Sequence, residues 1–204
     1  MNEKFYLGTY TKRVSKGVYS VTLNKETDQL ESLTLEAAID NPTYLSYSKS
    51  DQLLFAVGKG EEHCGISASN ALTSPVEPLA SYDDQKAVPC YIRYNEKTGD
   101  VLTANYHGGF VELYHYDKEE GAFTFVDKKV HSGSSVHANQ TSPHVHYTDY
   151  TPDEKWIVVC DLGIDTVFTY RRTETGLEEV AQYKTKAGSG PRHLAFHPTL
   201  SIAY

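Results

Sequence analysis

A proline-opened repeat is the sequence feature that most restricts the fold of this chain. Four prolines, spaced 47, 54 and 48 residues apart, each precede a strand-like run and then a β-branched or aromatic run. Periods of roughly 40–50 residues are typical of solenoids and propellers. The apolar stripe that a solenoid of helix pairs requires is missing, so the spacing favours one four-stranded propeller blade per repeat. The four prolines are Pro42, Pro89, Pro143 and Pro191.

The composition supports a chain built from strands. Of 204 residues, 16 are tyrosine and seven are phenylalanine, which favour a pleated, half-buried surface. Fourteen glycines and eight prolines stand between the short runs as turn residues. We therefore predict an all-β fold, namely a β-propeller with four-stranded blades.

Turn residues divide each repeat into four strand-sized segments. In the third full repeat, strands are predicted at about 144–150, 155–161, 165–171 and 177–184. The segment before the first full repeat holds three strand-like runs and lacks a first strand, and the last segment stops within its second strand. We expect one β-propeller domain that is an incomplete N-terminal portion of a longer ring. It would comprise a partial blade at 1–40, full blades at about 41–86, 87–140 and 141–188, and the start of another at 189–204.

Charge and hydropathy exclude several classes of partner. The formal net charge of −8 argues against nucleic-acid binding, because neutralising phosphates requires a basic surface. No apolar run approaches the roughly 18 residues of a membrane helix, and the N-terminus lacks the features of a secretory signal. Cys64, Cys90 and Cys160 are odd in number and lack metal-ligand spacing, so a reduced, cytoplasmic protein is expected.

Two basic residues occupy matching positions on the predicted innermost strands of neighbouring blades. Counting from the opening prolines selects His144 and Arg192 as residues that enter the channel. Counting back from the next turn proline selects His146 instead, because Pro152 follows His146 by six residues and Pro198 follows Arg192 by six. His144 and His146 would face one pocket if their strand is regular.

A histidine beside an arginine suits attack on an anionic carbonyl substrate. A histidine near its ordinary pKa can act as a general base, and an arginine offers a fork of donors to a phosphate, a carboxylate or an oxyanion. His146 and Arg192 are therefore the candidate catalytic residues. The alternative is that both are solvated residues at the mouth of the channel.

Further candidates surround this pair. Asn105 and Tyr106 precede His107-Gly108-Gly109, which is typical of a tight turn with positive φ at glycine; the functional alternative is that Asn105 or Tyr106 reaches the pocket. With His144 and His193, they are the candidate substrate-binding residues. His144 and His146 lie at a spacing that suits a metal site, but the sequence fixes no third ligand among His107, His193 and Asp149. No metal or cofactor is predicted.

The other histidines are predicted to lie on the surface or in turns. The polar stretch 131–140, HSGSSVHANQ, is predicted to be a flexible loop that leads into the channel strand. The surface or turn histidines are His63, His115, His131, His137 and His197.

Several segments resemble those of one family, in that family's order along the chain. They are LGTYT at 7–11 with GVYSV at 17–21, ANYHGG at 104–109, SPHVH with TPDEKWIVVCDLG between 142 and 163, and GPRHLAFHP at 190–198. The chain thereby resembles the seven-bladed β-propeller lactonases, the family of bacterial 6-phosphogluconolactonase and fungal carboxy-cis,cis-muconate cyclase.

The resemblance implies a fold, a reaction and two site residues. It implies a seven-bladed ring, of which this chain holds somewhat over half, and hydrolysis of a small anionic sugar lactone. The expected substrate is 6-phospho-D-glucono-1,5-lactone, in the pentose phosphate pathway. By motif, the family's channel histidine and arginine fall on His146 and Arg192. An acidic residue and a second arginine of the family pattern are expected beyond Tyr204.

Two other functions stay open at the level of sequence. The same His/Arg pair suits a carboxylated lactone, and thus a muconate-type cycloisomerase. A non-catalytic propeller that binds a protein or a sugar is the alternative from a different class, because propellers often serve as scaffolds.

Overall fold

The computed structural model describes residues 2–59 and 64–204. These residues form fifteen β-strands and no helix, and accordingly none that is long and apolar enough to cross a membrane. The strands are β1 (Glu3–Leu7), β2 (Val18–Asn24), β3 (Gln29–Ala37), β4 (Leu45–Ser48), β5 (Leu53–Lys59), β6 (Cys64–Asn70), β7 (Glu77–Gln85), β8 (Tyr91–Tyr94), β9 (Asp100–Asn105), β10 (Phe110–Asp117), β11 (Ala122–Val130), β12 (Val145–Tyr150), β13 (Ile157–Asp161), β14 (Thr166–Thr173) and β15 (Gly176–Lys184).

The strands form four sheets in which sequence neighbours lie side by side. The first sheet has three strands, in the order β1-β2-β3. Three four-stranded sheets follow, β4-β5-β6-β7, β8-β9-β10-β11 and β12-β13-β14-β15. A four-stranded sheet with this connection is the unit of a propeller blade. The all-β fold with four-stranded sheets is confirmed, and the strands predicted at 144–150 and 177–184 are found at Val145–Tyr150 and Gly176–Lys184.

Burial changes across each four-stranded sheet. The second strands β9 and β13 are buried along their whole length, and β5 is buried over its first five residues. The last strands β7 and β15 are largely exposed, and they tolerate residues that a central strand would not. Pro78 lies in β7, at the edge of its sheet, where a missing N–H disturbs the ladder least.

The chain divides into two compact units. The first comprises Met1–Lys97 with Asp117–Phe123, and the second comprises Thr98–Tyr116 with Thr124–Tyr204. In the first unit, a core of Val18, Leu54, Ala56 and Val76 packs against half-buried side chains that include Tyr6 and Ile39. In the second unit, the fully or almost fully buried side chains of the strands include Leu102, Leu113, Tyr114, Ile157, Val159 and Tyr170.

A β-bulge interrupts β12, the first strand of its sheet. Val145 lies opposite Asp161, and Tyr147 lies opposite Cys160, so His146 is an extra residue in the ladder. A bulge bends the strand locally and redirects the side chain that it carries. The regular strand that would point His144 and His146 the same way is therefore not formed at this position.

Candidate active site

The structure brings His146 and Arg192 into direct contact. Nε of Arg192 donates a hydrogen bond to Nε2 of His146 over 3.0 Å. A guanidinium group has no acceptor, so Nε2 of His146 must carry a lone pair. The neutral imidazole therefore holds its proton on Nδ1, and Nε2 is the atom available to accept a proton.

The surroundings keep His146 neutral. Burial lowers the pKa of its imidazole, and the positive charges of Arg192 and His193 lower the pKa further, to about 4. An ordinary histidine has a pKa of about 6.5. His146 is therefore a proton acceptor over the whole neutral range, although a weaker base than an exposed histidine.

His193 and Tyr106 extend the pair into a cluster. The His193 ring lies against that of His146 in an edge-on arrangement, with centroids 5.0 Å apart. Burial and the Arg192 charge lower the pKa of His193 as well. The Tyr106 ring meets that of His146 edge-on at 6.1 Å. Three of the predicted site residues, Arg192, His193 and Tyr106, thus lie against the imidazole of His146.

His144 is fixed beside the cluster from two directions. Its ring stacks on Tyr106 with centroids 4.2 Å apart and an angle of 6° between the planes. Its Nδ1 lies 3.0 Å from the carbonyl oxygen of Tyr106, which can only accept, so Nδ1 carries a proton. Its backbone N–H donates to Oδ1 of Asp161 over 2.8 Å. His144 therefore orients the tyrosine ring that His146 contacts.

Asn105 is engaged in the turn between β9 and β10. The side chain is buried, and its Oδ1 accepts a hydrogen bond from the backbone N–H of Gly108 over 2.8 Å. Gly109 has φ of 64°, and a side chain there would meet Pro143 at 2.9 Å. These contacts of Asn105 match its role in a tight turn. The close approach of this turn to Pro143 sets Tyr106 beside His144.

The prediction of a surface or turn position is wrong for His131. It is only 8% exposed, its Nδ1 lies 2.7 Å from Oδ2 of Asp161, and its Nε2 lies 3.0 Å from the Tyr170 hydroxyl. Its ring also stacks on Phe168 at 3.9 Å. A carboxylate and a hydroxyl supplied by β13 and β14 satisfy both ring nitrogens, and so allow the imidazole to be buried.

Three of the other histidines predicted to lie on the surface or in turns are described by the structure. His137 is exposed, and His115 and His197 are half-buried. His63 lies outside the described residues.

Sequence reasoning missed two aspartates that hold the site. Asp161 accepts hydrogen bonds from the backbone N–H groups of His144 and Gly163 and faces His131. Asp165 faces the loop at 131–140 and also the loop before Arg192. The only available signal is the DLGID segment at 161–165, which the sequence marks as a turn and nothing more.

The loop at 131–140 is held by several hydrogen bonds. The Ser135 hydroxyl donates to Oδ2 of Asp165. Nε2 of Gln140 donates to Oδ1 of Asp165 over 2.8 Å and to the Leu162 carbonyl oxygen over 2.6 Å. The flexible loop expected from the polar sequence is instead a segment with fixed attachments, because a buried carboxylate supplies the acceptors.

Within residues 2–59 and 64–204, no group of three or more His, Cys, Asp or Glu side chains is placed to hold a metal ion. The neighbours of His146 in the cluster are His193, Tyr106 and Arg192, whose side chains are an imidazole, a phenol and a guanidinium group.

Sheets of four antiparallel strands that follow one another along the chain define a β-propeller protein, here with a His/Arg cluster at the edge of one blade. The sequence model of one propeller family, described as "Lactonase, 7-bladed beta-propeller", matches residues 4–204. The chain belongs to this lactonase family, and the predicted resemblance is confirmed.

Similar proteins agree in fold and extend beyond this chain in length. The chain is 35% identical to the 6-phosphogluconolactonase of Bacillus subtilis (strain 168), and the match covers 98% of the chain and 58% of that relative. A crystal structure from Lactobacillus plantarum is 36% identical with a TM-score of 0.93, covering 100% of the chain and 59% of that protein. The periplasmic gluconolactonase of Pseudomonas aeruginosa is 26% identical with a TM-score of 0.90, covering 100% and 61%. The chain thus spans about three fifths of the relatives' length.

Proposed function

We propose that this protein hydrolyses a sugar lactone at the His146 cluster. The single observation that carries the proposal is the contact between Arg192 and Nε2 of His146, at 3.0 Å, in a member of a lactonase family. A neutral base next to a cation matches the needs of ester hydrolysis, in which water loses a proton while the carbonyl oxygen gains negative charge.

His146 acts as the general base in the proposed mechanism. In the free protein its Nε2 is occupied by Arg192, so the base is held back until the guanidinium turns toward another acceptor. An anionic substrate offers that acceptor. Nε2 then takes a proton from water, and the water oxygen forms a bond to the lactone carbonyl carbon. The former carbonyl oxygen bears the negative charge of the resulting tetrahedral intermediate. The ring C–O bond breaks as His146 returns the proton to the leaving alkoxide, which yields the open-chain hydroxy acid.

Arg192 stabilises negative charge in this scheme. Its side chain is exposed and belongs to a segment without regular strand structure, so it can exchange His146 for a substrate oxygen. The guanidinium then binds either the oxyanion or an anionic substituent of the sugar. Tyr106, His144 and His193 form the wall against which the sugar ring lies, and Asn105 fixes the turn that carries Tyr106.

The proposed substrate is 6-phospho-D-glucono-1,5-lactone, which places the reaction in the pentose phosphate pathway. The name of the Bacillus subtilis relative supports this choice. With a formal net charge of −8 over the chain, attraction of a phosphorylated lactone must come from local cations such as Arg192. We also propose a cytoplasmic location, because Cys64 and Cys160 are buried thiols.

A comparison of substrates tests the proposal. The purified protein is assayed with freshly generated 6-phosphogluconolactone, with glucono-1,5-lactone and with a carboxylated muconolactone, each corrected for spontaneous reaction. We expect kcat/KM to be highest for the phosphorylated lactone. A preference for the muconolactone would assign a cycloisomerase, and binding of sugars without turnover would assign a scaffold.

The pH dependence of kcat/KM should show the depressed pKa of His146. Its neutral form persists down to a pH of about 4, so the acid limb should have its midpoint near 4 and not near 6.5. Unphosphorylated gluconolactone is the substrate of choice, because a phosphate monoester itself titrates near pH 6. In the Arg192→Ala variant the limb should move to higher pH, since one cause of the depression is gone. A wild-type midpoint near 6.5 would exclude His146 as the base in this environment.

A further inference from the structure

Asp165 receives four hydrogen bonds from two separate loops. The Ser135 hydroxyl and the backbone N–H of Gly188 donate to Oδ2, the latter over 2.7 Å. Nε2 of Gln140 and the backbone N–H of Gly190 donate to Oδ1 over 2.8 and 2.7 Å. Each carboxylate oxygen thus joins one donor from the loop at 131–140 to one donor from the loop at 185–190.

The two loops deliver the two residues of the catalytic pair. The first loop leads into His144 and His146, and the second ends at Pro191, next to Arg192. The backbone of Asp165 also fixes the start of the second loop, because its carbonyl oxygen accepts from the Thr185 N–H over 2.9 Å. From Gly190 to Arg192 only Pro191 intervenes, and a proline ring restricts its own φ. Few free rotations therefore separate the carboxylate of Asp165 from the backbone of Arg192.

The carboxylate stays ionised in this position. Burial, at 3% exposure, favours the neutral acid, but the hydrogen bonds from Ser135, Gly190, Gly188 and Gln140 outweigh it and lower the pKa of Asp165 to about 2. Hydrogen bonds to an ionised acceptor are stronger than neutral ones. The charge of Asp165 therefore contributes to holding both loops.

We propose that Asp165 is the positioning residue of the site: its carboxylate holds the loop before His146 and the loop before Arg192 together, and so sets the contact between the two side chains. Its effect on catalysis rests on the proposed lactonase function. Its effect on the His146–Arg192 contact does not, and the two can be measured separately.

The test is the Asp165→Asn variant, which keeps the shape of the side chain. The amide nitrogen replaces one acceptor by a donor, so either the Gly188 or the Gly190 N–H loses its partner. The pKa of His146, followed by NMR of its imidazole in the purified protein, should rise by about as much as in Arg192→Ala. In the Arg192→Ala background, Asp165→Asn should cause no further rise. We expect kcat/KM to fall about 10- to 100-fold, the scale of a small misplacement of a catalytic group.

The matched control is Asp100→Asn. Asp100 is also a buried carboxylate with several donors, the Tyr150 hydroxyl at 2.7 Å and Nε of Arg172 at 3.0 Å, but it lies at the other end of β9 from Asn105. This variant should lose stability without changing the pKa of His146. If reduced stability alone caused the loss of activity in Asp165→Asn, Asp100→Asn would lose activity as well.

The outcomes separate the two proposals. A folded Asp165→Asn variant with an unchanged His146 pKa would overturn the positioning role, whatever its activity. Absence of lactone hydrolysis in the wild type would overturn the proposed function, and the NMR result would still decide the positioning role. If Asp165→Asn does not fold, Ser135→Ala removes one donor to the same carboxylate. It should raise the His146 pKa by a smaller amount, and an unchanged value would overturn the proposal.

Discussion

The His146→Ala variant should hydrolyse the lactone about 100-fold less efficiently than the wild type, measured as kcat/KM. The variant lacks the imidazole whose Nε2 accepts a hydrogen bond from Arg192, so in the proposed mechanism water must attack without a base. The fold should persist, because His146 lies in a bulge at a sheet edge and not in the ladder of the buried strands. A coupled assay with freshly generated substrate gives the rate, and circular dichroism verifies the fold.

His115→Ala is the matched control for this variant. His115 lies on β10 opposite Asp100, at the other end of the hairpin from Tyr106. Its substitution by alanine removes an imidazole of the same kind from the same unit. Its kcat/KM should stay within about twofold of the wild type, because the substitution lies away from the His146 cluster. Equal activity in His146→Ala and His115→Ala would remove His146 from the mechanism.

The Arg192→Ala variant should lose about 100- to 1,000-fold in kcat/KM, the range for removal of one donor to a developing oxyanion. Comparing two substrates separates the two possible roles of the guanidinium. If Arg192 stabilises the oxyanion, gluconolactone and its 6-phosphate should lose the same factor. If Arg192 binds the phosphate, the loss should be greater for the phosphorylated lactone and should appear mainly in KM.

Two further variants complete this comparison. Arg192→Lys keeps the charge but not the fork of donors, and should recover part of the activity. Arg171→Ala removes an exposed arginine that pairs with Glu178 at 2.8 Å and should leave kcat/KM unchanged. Wild-type activity in Arg192→Ala would contradict the role of the pair, even if His146 proved essential.

The strands could be predicted because their determinants are local. Prolines, glycines and short apolar runs mark turns and strands within a few residues of chain, as in the buried strand β13 and the exposed strand β15. The pairing of His146 with Arg192 was also predictable, because both lie six residues before a turn proline. A repeated architecture converts equal offsets in sequence into neighbouring positions in space.

What could not be predicted depends on partners distant in the chain. The bulge at His146 arises from how β12 pairs with β13, which no pattern in β12 alone reveals. His131 was misassigned because its polar neighbours suggest a solvated loop, while the groups that bury it, Asp161 and Tyr170, are 30 and 39 residues away. Asp165 was missed for the same reason, since its donors come from two loops on either side of it in sequence.

The most direct test of the central claim is the rate at which the wild-type protein opens freshly generated 6-phospho-D-glucono-1,5-lactone. The product, 6-phosphogluconate, is followed through a coupled dehydrogenase and corrected for spontaneous hydrolysis. The account predicts a rate proportional to protein concentration that collapses in both His146→Ala and Arg192→Ala. A folded wild-type protein that leaves the spontaneous rate unchanged, or one whose catalysis survives both substitutions, would contradict it.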